Sequence, residues 1–207
     1  MINLFLALCF SLLATTAGAQ DVAPDALVKS ISDDVIGIIK QDKDIKAGNR
    51  AKINALVDAK VLPHFDFARM TALAMGRNWP KANAAQQKAL ITEFRTLLVH
   101  TYSGALSTYK NETIEFKPLR AAAGDTEVTV RTQVKRPGSE AVSIDYGMEK
   151  LPAGWKVYDV VVGGVSLVTN YRETFNAEIR DSGVDGLIKS LASKNRSLET
   201  QAGTKSK

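Results

Sequence analysis

Apolar residues in the first half of the chain recur at helical spacing, and in the second half they alternate at a spacing of two. Leu27, Ile31, Val35, Ile38 and Ile39 form one stripe behind Pro24, a residue tolerated in a first helical turn. Gly48 and Asn49 interrupt it, and Ile53, Leu56, Val57 and Ala59 carry a second helix that Pro63 limits. A short third helix is expected over residues 64–75, closed by Gly76. The longest is expected over residues 84–109, with Asn83 as N-cap and Gln86 returning the capping bond. Its apolar positions, among them Leu90, Phe94, Leu98, Tyr102, Leu106 and Tyr109, make a stripe suited to a helix lying across a sheet.

After Asn111 the period falls from about 3.6 to 2. Ile114 and Phe116 open a first strand, Val128 to Val134 a second, and Val142, Ile144, Tyr146 and Met148 a third beyond the turn at Arg136-Pro137-Gly138-Ser139. The fourth strand lies in GWKVYDVVVGGVSLVTNYRETF, residues 154–175. Strict alternation there places Trp155, Val157, Asp159 and Val161 on one face and Lys156, Tyr158, Val160 and Val162 on the other. Both faces then carry large apolar groups, as in a strand covered on both sides. Gly163 and Gly164 permit a bend, and Val165, Val168, Tyr171 and Phe175 follow at a helical interval. Two closing helices, about 168–180 and 184–192, are separated by Asp181-Ser182-Gly183. From Lys194 the chain is polar and expected to be disordered. The expected architecture is one α+β domain over residues 20–193, with helices packed on one face of a curved, antiparallel, four-stranded sheet.

The N-terminus changes the picture of where this domain works. Residues 1–19 lack charged side chains, run apolar from Leu4, and end in Ala17-Gly18-Ala19, the small-x-small pattern of signal peptidase. An export signal cleaved before Gln20, and a periplasmic mature protein, are the expectation. Cys9, the single cysteine, lies inside that signal, so the mature domain has neither a disulfide nor a thiolate and must be held by its core. Lys and Arg outnumber Asp and Glu by 27 to 22. That bias fits an ordinary solvated surface, or attraction to anionic headgroups or an acidic partner. No basic run with interleaved aromatics points to nucleic acid.

Catalytic constellations are hard to assemble. His64 and His100 have no partners at metal-ligand spacing, Ser166 is not in a nucleophile elbow, and Gly163-Gly164 is not a phosphate loop. Neither a metal nor a cofactor is expected. Asp159, near Asp145 and Tyr158, leaves an isomerase or dehydratase on a helix-and-curved-sheet cone as the alternative, since such a fold supports proton transfer in the ketosteroid isomerase example. The competing role for Asp159 is structural, pairing with a backbone end or an arginine such as Arg172. Large apolar side chains exceed what a tight seam needs, which fits either an ordinary core or a cavity for an apolar ligand.

Three segments carry a family resemblance: VLPHFDFARMTALAMGRNW at residues 61–79, QQKALITEFRTLLVHTYSGALSTY at 86–109, and GWKVYDVVVGGVSLVTNYRETF followed by SGVDGLIKSL. In order and spacing the chain resembles the MlaC or toluene-tolerance family, across nearly all of its mature length. The resemblance implies a non-enzymatic periplasmic carrier with an NTF2-like cone enclosing a pocket for phospholipid acyl chains. It implies shuttling of glycerophospholipid, as cargo rather than cofactor, between an outer-membrane lipoprotein-porin complex and an inner-membrane ABC transporter, reached through its hexameric lipid-binding subunit, thereby maintaining outer-membrane lipid asymmetry. On this reading the pocket is built by Phe67, Leu73, Met75, Phe94, Leu98, Tyr102 and Leu106 from the helices. Val130, Val134, Ile144, Tyr146, Met148, Trp155, Val157 and Val165 supply the strand side, and Arg131 and Arg172 serve partner docking.

Overall fold

The computed structural model describes residues 22–204, with side chains to residue 201, and the expected signal segment and its cleavage site lie outside the described residues. Among the described residues six α-helices and five strands follow in order: α1 (Pro24–Gln41), α2 (Lys43–Lys46), α3 (Arg50–Lys60), α4 (Phe67–Met75), α5 (Ala84–Tyr102), β1 (Thr113–Phe116), β2 (Glu127–Lys135), β3 (Val142–Leu151), β4 (Gly154–Val162), β5 (Val165–Ser166) and α6 (Arg172–Thr204). The strands form one antiparallel meander in chain order.

Local chemistry sets the helix ends. Asn83 accepts the Gln86 N–H while the Gln86 side chain accepts the Asn83 N–H, the reciprocal box expected for α5. That helix stops at Tyr102 rather than 109, because the chain tightens into a 3-10 segment at Ser103–Thr108. Asp66 caps α4 through the Arg69 N–H, and its own N–H donates to the Val157 carbonyl at 2.8 Å. The cap of α4 is thereby tied to β4. Gly183, with φ of 71°, breaks α6 at the expected glycine. For residues 194–204 the structure differs from the expected disordered tail. Asn195 is buried and donates to the Glu93 carbonyl and carboxylate, and Leu198 packs on the helical core, so α6 continues.

The largest departure from expectation is on β4. Pairing with β3 shifts register between Gly147 and Met148, where Gly147 faces Asp159 and Met148 faces Val157. Tyr158 is the extra residue of a β-bulge, which reverses the alternation beyond it. Trp155, Val157, Val160 and Val162 therefore pack into one cluster with Val128, Val130, Ile144, Tyr146 and Met148. The pattern that reads as a strand covered on both sides is two half-strands in opposite phase. On the far face the Tyr158 ring lies against Gly147, where a Cβ would sit 3.2 Å from Cζ, and the Arg69 guanidinium stacks 3.7 Å from the ring centroid. Arg69 also pairs with Glu149 at 2.6 Å and Glu127 at 2.7 Å, pinning α4 to the sheet.

The bend after β4 is also not the expected one. Val165 and Ser166 form β5, a fifth strand against Val161 and Val162, and a 3-10 turn at Thr169–Tyr171 precedes α6. Asp159 organises this corner. Its carboxylate accepts from the Val160 N–H at 2.8 Å, the Ser166 hydroxyl at 2.6 Å and the Val168 N–H at 3.3 Å. Arg172, the arginine suggested as its partner, instead donates to the Leu73 carbonyl at 2.9 and 3.1 Å and joins α6 to α4.

The described residues form three apolar clusters: α4–α5–α6 around Phe94 and Phe175, the sheet with Val28 of α1, and α1–α2–α3 around Ile39 and Ile53. Asp159→Ala removes the acceptor of two N–H groups and one hydroxyl and is expected to cost about 1–3 kcal/mol, read as a lower urea midpoint. An unchanged midpoint would show that the corner holds without it. Gly147→Val should lower stability by about 1–3 kcal/mol by displacing the Tyr158 ring; equal stability to the parent would remove the close packing from the account.

Candidate functional site

Between the sheet cluster and the α1–α3 cluster lies a cavity of about 450 Å³, within the range of small-molecule sites. One side is the face of α1, through Val28, Ile31, Val35, Ile36 and Ile39, with Ser32 the one polar residue among them. Val61, His64 and Phe65 come from the segment that leaves α3, and Leu106 and Tyr109 from the chain after α5. Ile114, Val134, Val142, Tyr146 and Val157 supply the sheet side, one or two from each of β1 to β4. The bulge matters here because it keeps Val157 in the same apolar sheet as Val160 and Tyr146.

Polar groups gather at one end. Arg136, Ser139 and Glu140, from the β2–β3 connection, line the cavity together with Glu112, whose side chain is only 8% exposed and pairs with Arg136. Asn111 takes a left-handed turn, φ 63°, and so presents Glu112 to three donors. The Lys110 N–H donates to one carboxylate oxygen at 2.5 Å, and the Arg136 guanidinium holds the other through Nε at 2.5 Å and Nη2. Burial opposes ionisation of Glu112, yet these bonds hold its carboxyl below the ordinary value. Its charge is balanced within the pair.

Away from that charged end, two lining groups are held in their neutral forms, Tyr146 and His64. Burial pushes the Tyr146 hydroxyl up to about 12, with Thr132 pulling weakly the other way through a hydrogen bond. Burial, with Lys156 nearby, moves His64 below its ordinary value, so its imidazole is uncharged. Uncharged polar groups in an apolar hollow favour a hydrocarbon occupant with its polar part at the Glu112–Arg136 end.

Of the residues expected to form a pocket, the structure brings Leu106, Val134, Tyr146 and Val157 to the cavity. Val130 and Met148 are sealed within the sheet cluster behind it, and Ile144 and Trp155 pack against that cluster. Phe67, Leu73, Met75, Phe94 and Leu98 belong to the separate α4–α5–α6 core. Tyr102 and Val165 are exposed, at 37% and 55%. Their periodicity marks burial and carries no information about which of two cores a helix joins. The contribution of α1 to the cavity escapes sequence reading for the same reason, although its stripe of Ile31, Val35 and Ile39 is plain in the sequence. Arg131 is exposed on β2 opposite Asp145, whereas Arg172 is half-buried in its bonds to Leu73. Asp159 and Tyr158, the pair of the isomerase alternative, do not line the cavity, and Asp159 is occupied in the β5 corner. No group of metal-ligating side chains occurs among the described residues, and no described helix is long and apolar enough to cross a membrane.

Known proteins resemble this chain in sequence and in fold. Residues 29–193 match the family model described as MlaC protein. The chain is 21% identical to the intermembrane phospholipid transport system binding protein MlaC of Haemophilus influenzae over 179 residues, 85% of this chain and 84% of that protein. It is 27% identical to the toluene tolerance protein ttg2D of Pseudomonas putida over 174 residues, 82% of this chain and 78% of that protein. A phospholipid-binding protein from Ralstonia solanacearum, solved in complex with a phospholipid, superposes with a TM-score of 0.80 at 44% identity, covering 86% of this chain and 99% of that one. The matched span covers the helices that frame the cavity, the whole sheet and most of α6, and on that ground the chain belongs to the MlaC family.

Proposed function

We propose that this protein is a periplasmic phospholipid carrier that takes acyl chains into the cavity between α1 and the sheet and leaves the headgroup at the Glu112–Arg136 end. The observation that carries the proposal is the cavity itself, apolar along α1 and the sheet and polar at one end. The phospholipid complex of the Ralstonia protein supports it.

The energetics explain why a carrier needs this shape. Exposing an acyl chain costs about 0.8 kcal/mol per methylene, so a chain of about 16 carbons in water costs roughly 10 kcal/mol or more. A carrier lowers that cost by shielding the tail. The headgroup can stay hydrated, and an internally neutralised Glu112–Arg136 pair adds little demand for one headgroup charge. Release requires a partner that favours the emptied state, since a ligand leaves only when binding elsewhere shifts the balance. In this reading those partners are an outer-membrane lipoprotein-porin complex and an inner-membrane ABC transporter with a hexameric lipid-binding subunit, and the exchange between them maintains outer-membrane lipid asymmetry. The exposed Arg131 is the residue we assign to docking; Arg172 is withdrawn from that role by its bonds to Leu73.

Ile31→Asp puts a carboxylate into the cavity lining and is expected to abolish co-purifying phospholipid, measured by organic extraction and mass spectrometry, while the circular dichroism spectrum is retained. Leu98→Ala, in the other core, should destabilise by about 2–5 kcal/mol and leave phospholipid content unchanged. Normal phospholipid in Ile31→Asp, or its loss only in Leu98→Ala, would move the ligand elsewhere. Arg131→Glu should weaken capture by the membrane complexes without changing lipid content, and undiminished capture would remove Arg131 from the interface.

A further inference from the structure

Away from the lipid cavity, the 3-10 segment Gly76–Lys81 and the first half of α6 enclose a second concavity of about 320 Å³. Its lining is Arg77, Asn78, Lys81, Asn176, Ile179 and Arg180, three cations, two amides and no carboxylate. Asn78 forms a buried floor, 5% exposed, and its two ends are both used. Its Nδ2 donates to Asn176 Oδ1 at 2.6 Å, and its Oδ1 accepts from Lys81 Nζ at 2.8 Å. The first bond fixes the Asn176 amide with its own N–H groups left for another acceptor, and the second holds the Lys81 ammonium over the hollow. Among the described residues neither Arg77 nor Lys81 has a carboxylate partner. Arg180 has only a loose, highly exposed contact to Asp181 at 3.9 Å, which solvent screens and an incoming anion can replace.

We propose that this concavity is a binding site for a phosphate-type oxyanion. Converging cations oppose one another unless an anion lies between them, and amide donors fixed by a buried partner complete the set that a multi-oxygen anion accepts from. The lining is short, six residues from two neighbouring segments, which suits a phosphate group with its solvent shell better than an extended acidic peptide. Two sources carry that chemistry: the phosphodiester of a lipid headgroup at a bilayer surface, and free phosphate. The site shares no lining residue with the lipid cavity, so it stands or falls independently of the carrier reading.

The test uses the purified full chain with inorganic phosphate, followed by backbone NMR, and with vesicles of phosphatidylcholine with or without phosphatidylglycerol, followed by sedimentation. Saturable shifts of the amides at 76–81 and 176–180 are expected with phosphate. Sedimentation with phosphatidylglycerol vesicles should fall at least about tenfold in Arg77→Gln/Arg180→Gln, because the variant removes two of the three cations that face the anionic surface. Lys43→Gln/Lys88→Gln loses the same charge elsewhere and should retain binding. Phosphate shifts without vesicle binding support the site with free phosphate as its source, and vesicle binding sensitive to the Arg pair supports the headgroup. Absence of both, or equal loss in the lysine control, overturns the proposal, and an unchanged melting temperature of the arginine variant separates these results from unfolding.

Discussion

One extra residue in β4 sets the geometry on which the rest depends. Without the bulge at Tyr158, strict alternation would turn Val160 and Val162 away from Val157, and the apolar sheet face would be split. With it, a continuous wall forms from Trp155 to Val162 and joins the β2 and β3 side chains. The same residue makes the opposite face adhesive. Tyr158 lies on Gly147 beneath Arg69, whose two carboxylate partners come from β2 and β3. A single local irregularity therefore keeps the apolar sheet face continuous behind Val157, the β4 residue that lines the cavity, and anchors α4 on the opposite face.

From that wall the division of labour in the fold follows. The α4–α5–α6 core is filled by aromatic edge contacts, Phe94 with Tyr171 and Phe175 at ring separations of 5.1 and 5.2 Å, and serves as a solid body. The α1–α3 cluster packs within itself, through Ile39, Ile45 and Ile53, and leaves a hollow where it faces the sheet. The seam between two clusters can hold hydrocarbon at less cost than a cavity cut into one close-packed core, whose every lining atom would lose neighbours. Edge protection is built into the same design. β5 and the Phe65–Val157 bridge cover parts of the outer edge of β4, so the wall does not present a long free strand.

What the sequence reveals about this fold is what local chemistry decides. The Asn83–Gln86 box, the break at Gly183 and the alternating strands β2 and β3 are all legible, because each depends on residues near one another in the chain. The bulge is not, since it is settled by the fit of Tyr158 over Gly147 across the ladder. The cavity is half legible for a similar reason: Val134, Tyr146, Val157 and Leu106 follow from apolar spacing joined to the family resemblance, but that spacing is the same for Leu98, which faces a solid core, and Ile31, which faces the hollow. Arg172 shows the same limit for charge, because nothing in its neighbours announces that the Leu73 carbonyl will receive it. The turns beyond Lys194 are held by Asn195 on Glu93 and Leu198 on the core, contacts that composition alone does not reveal.

The central claim is that acyl chains occupy the seam between α1 and the sheet. Photocrosslinking with a phospholipid bearing a diazirine in its acyl chain, followed by peptide mass spectrometry, tests it most directly. The account predicts labelling of residues such as Ile31, Val35, Leu106 and Val134. Labelling concentrated on Met75, Phe94 or Leu98 in the α4–α5–α6 core, with α1 unlabelled, would contradict it.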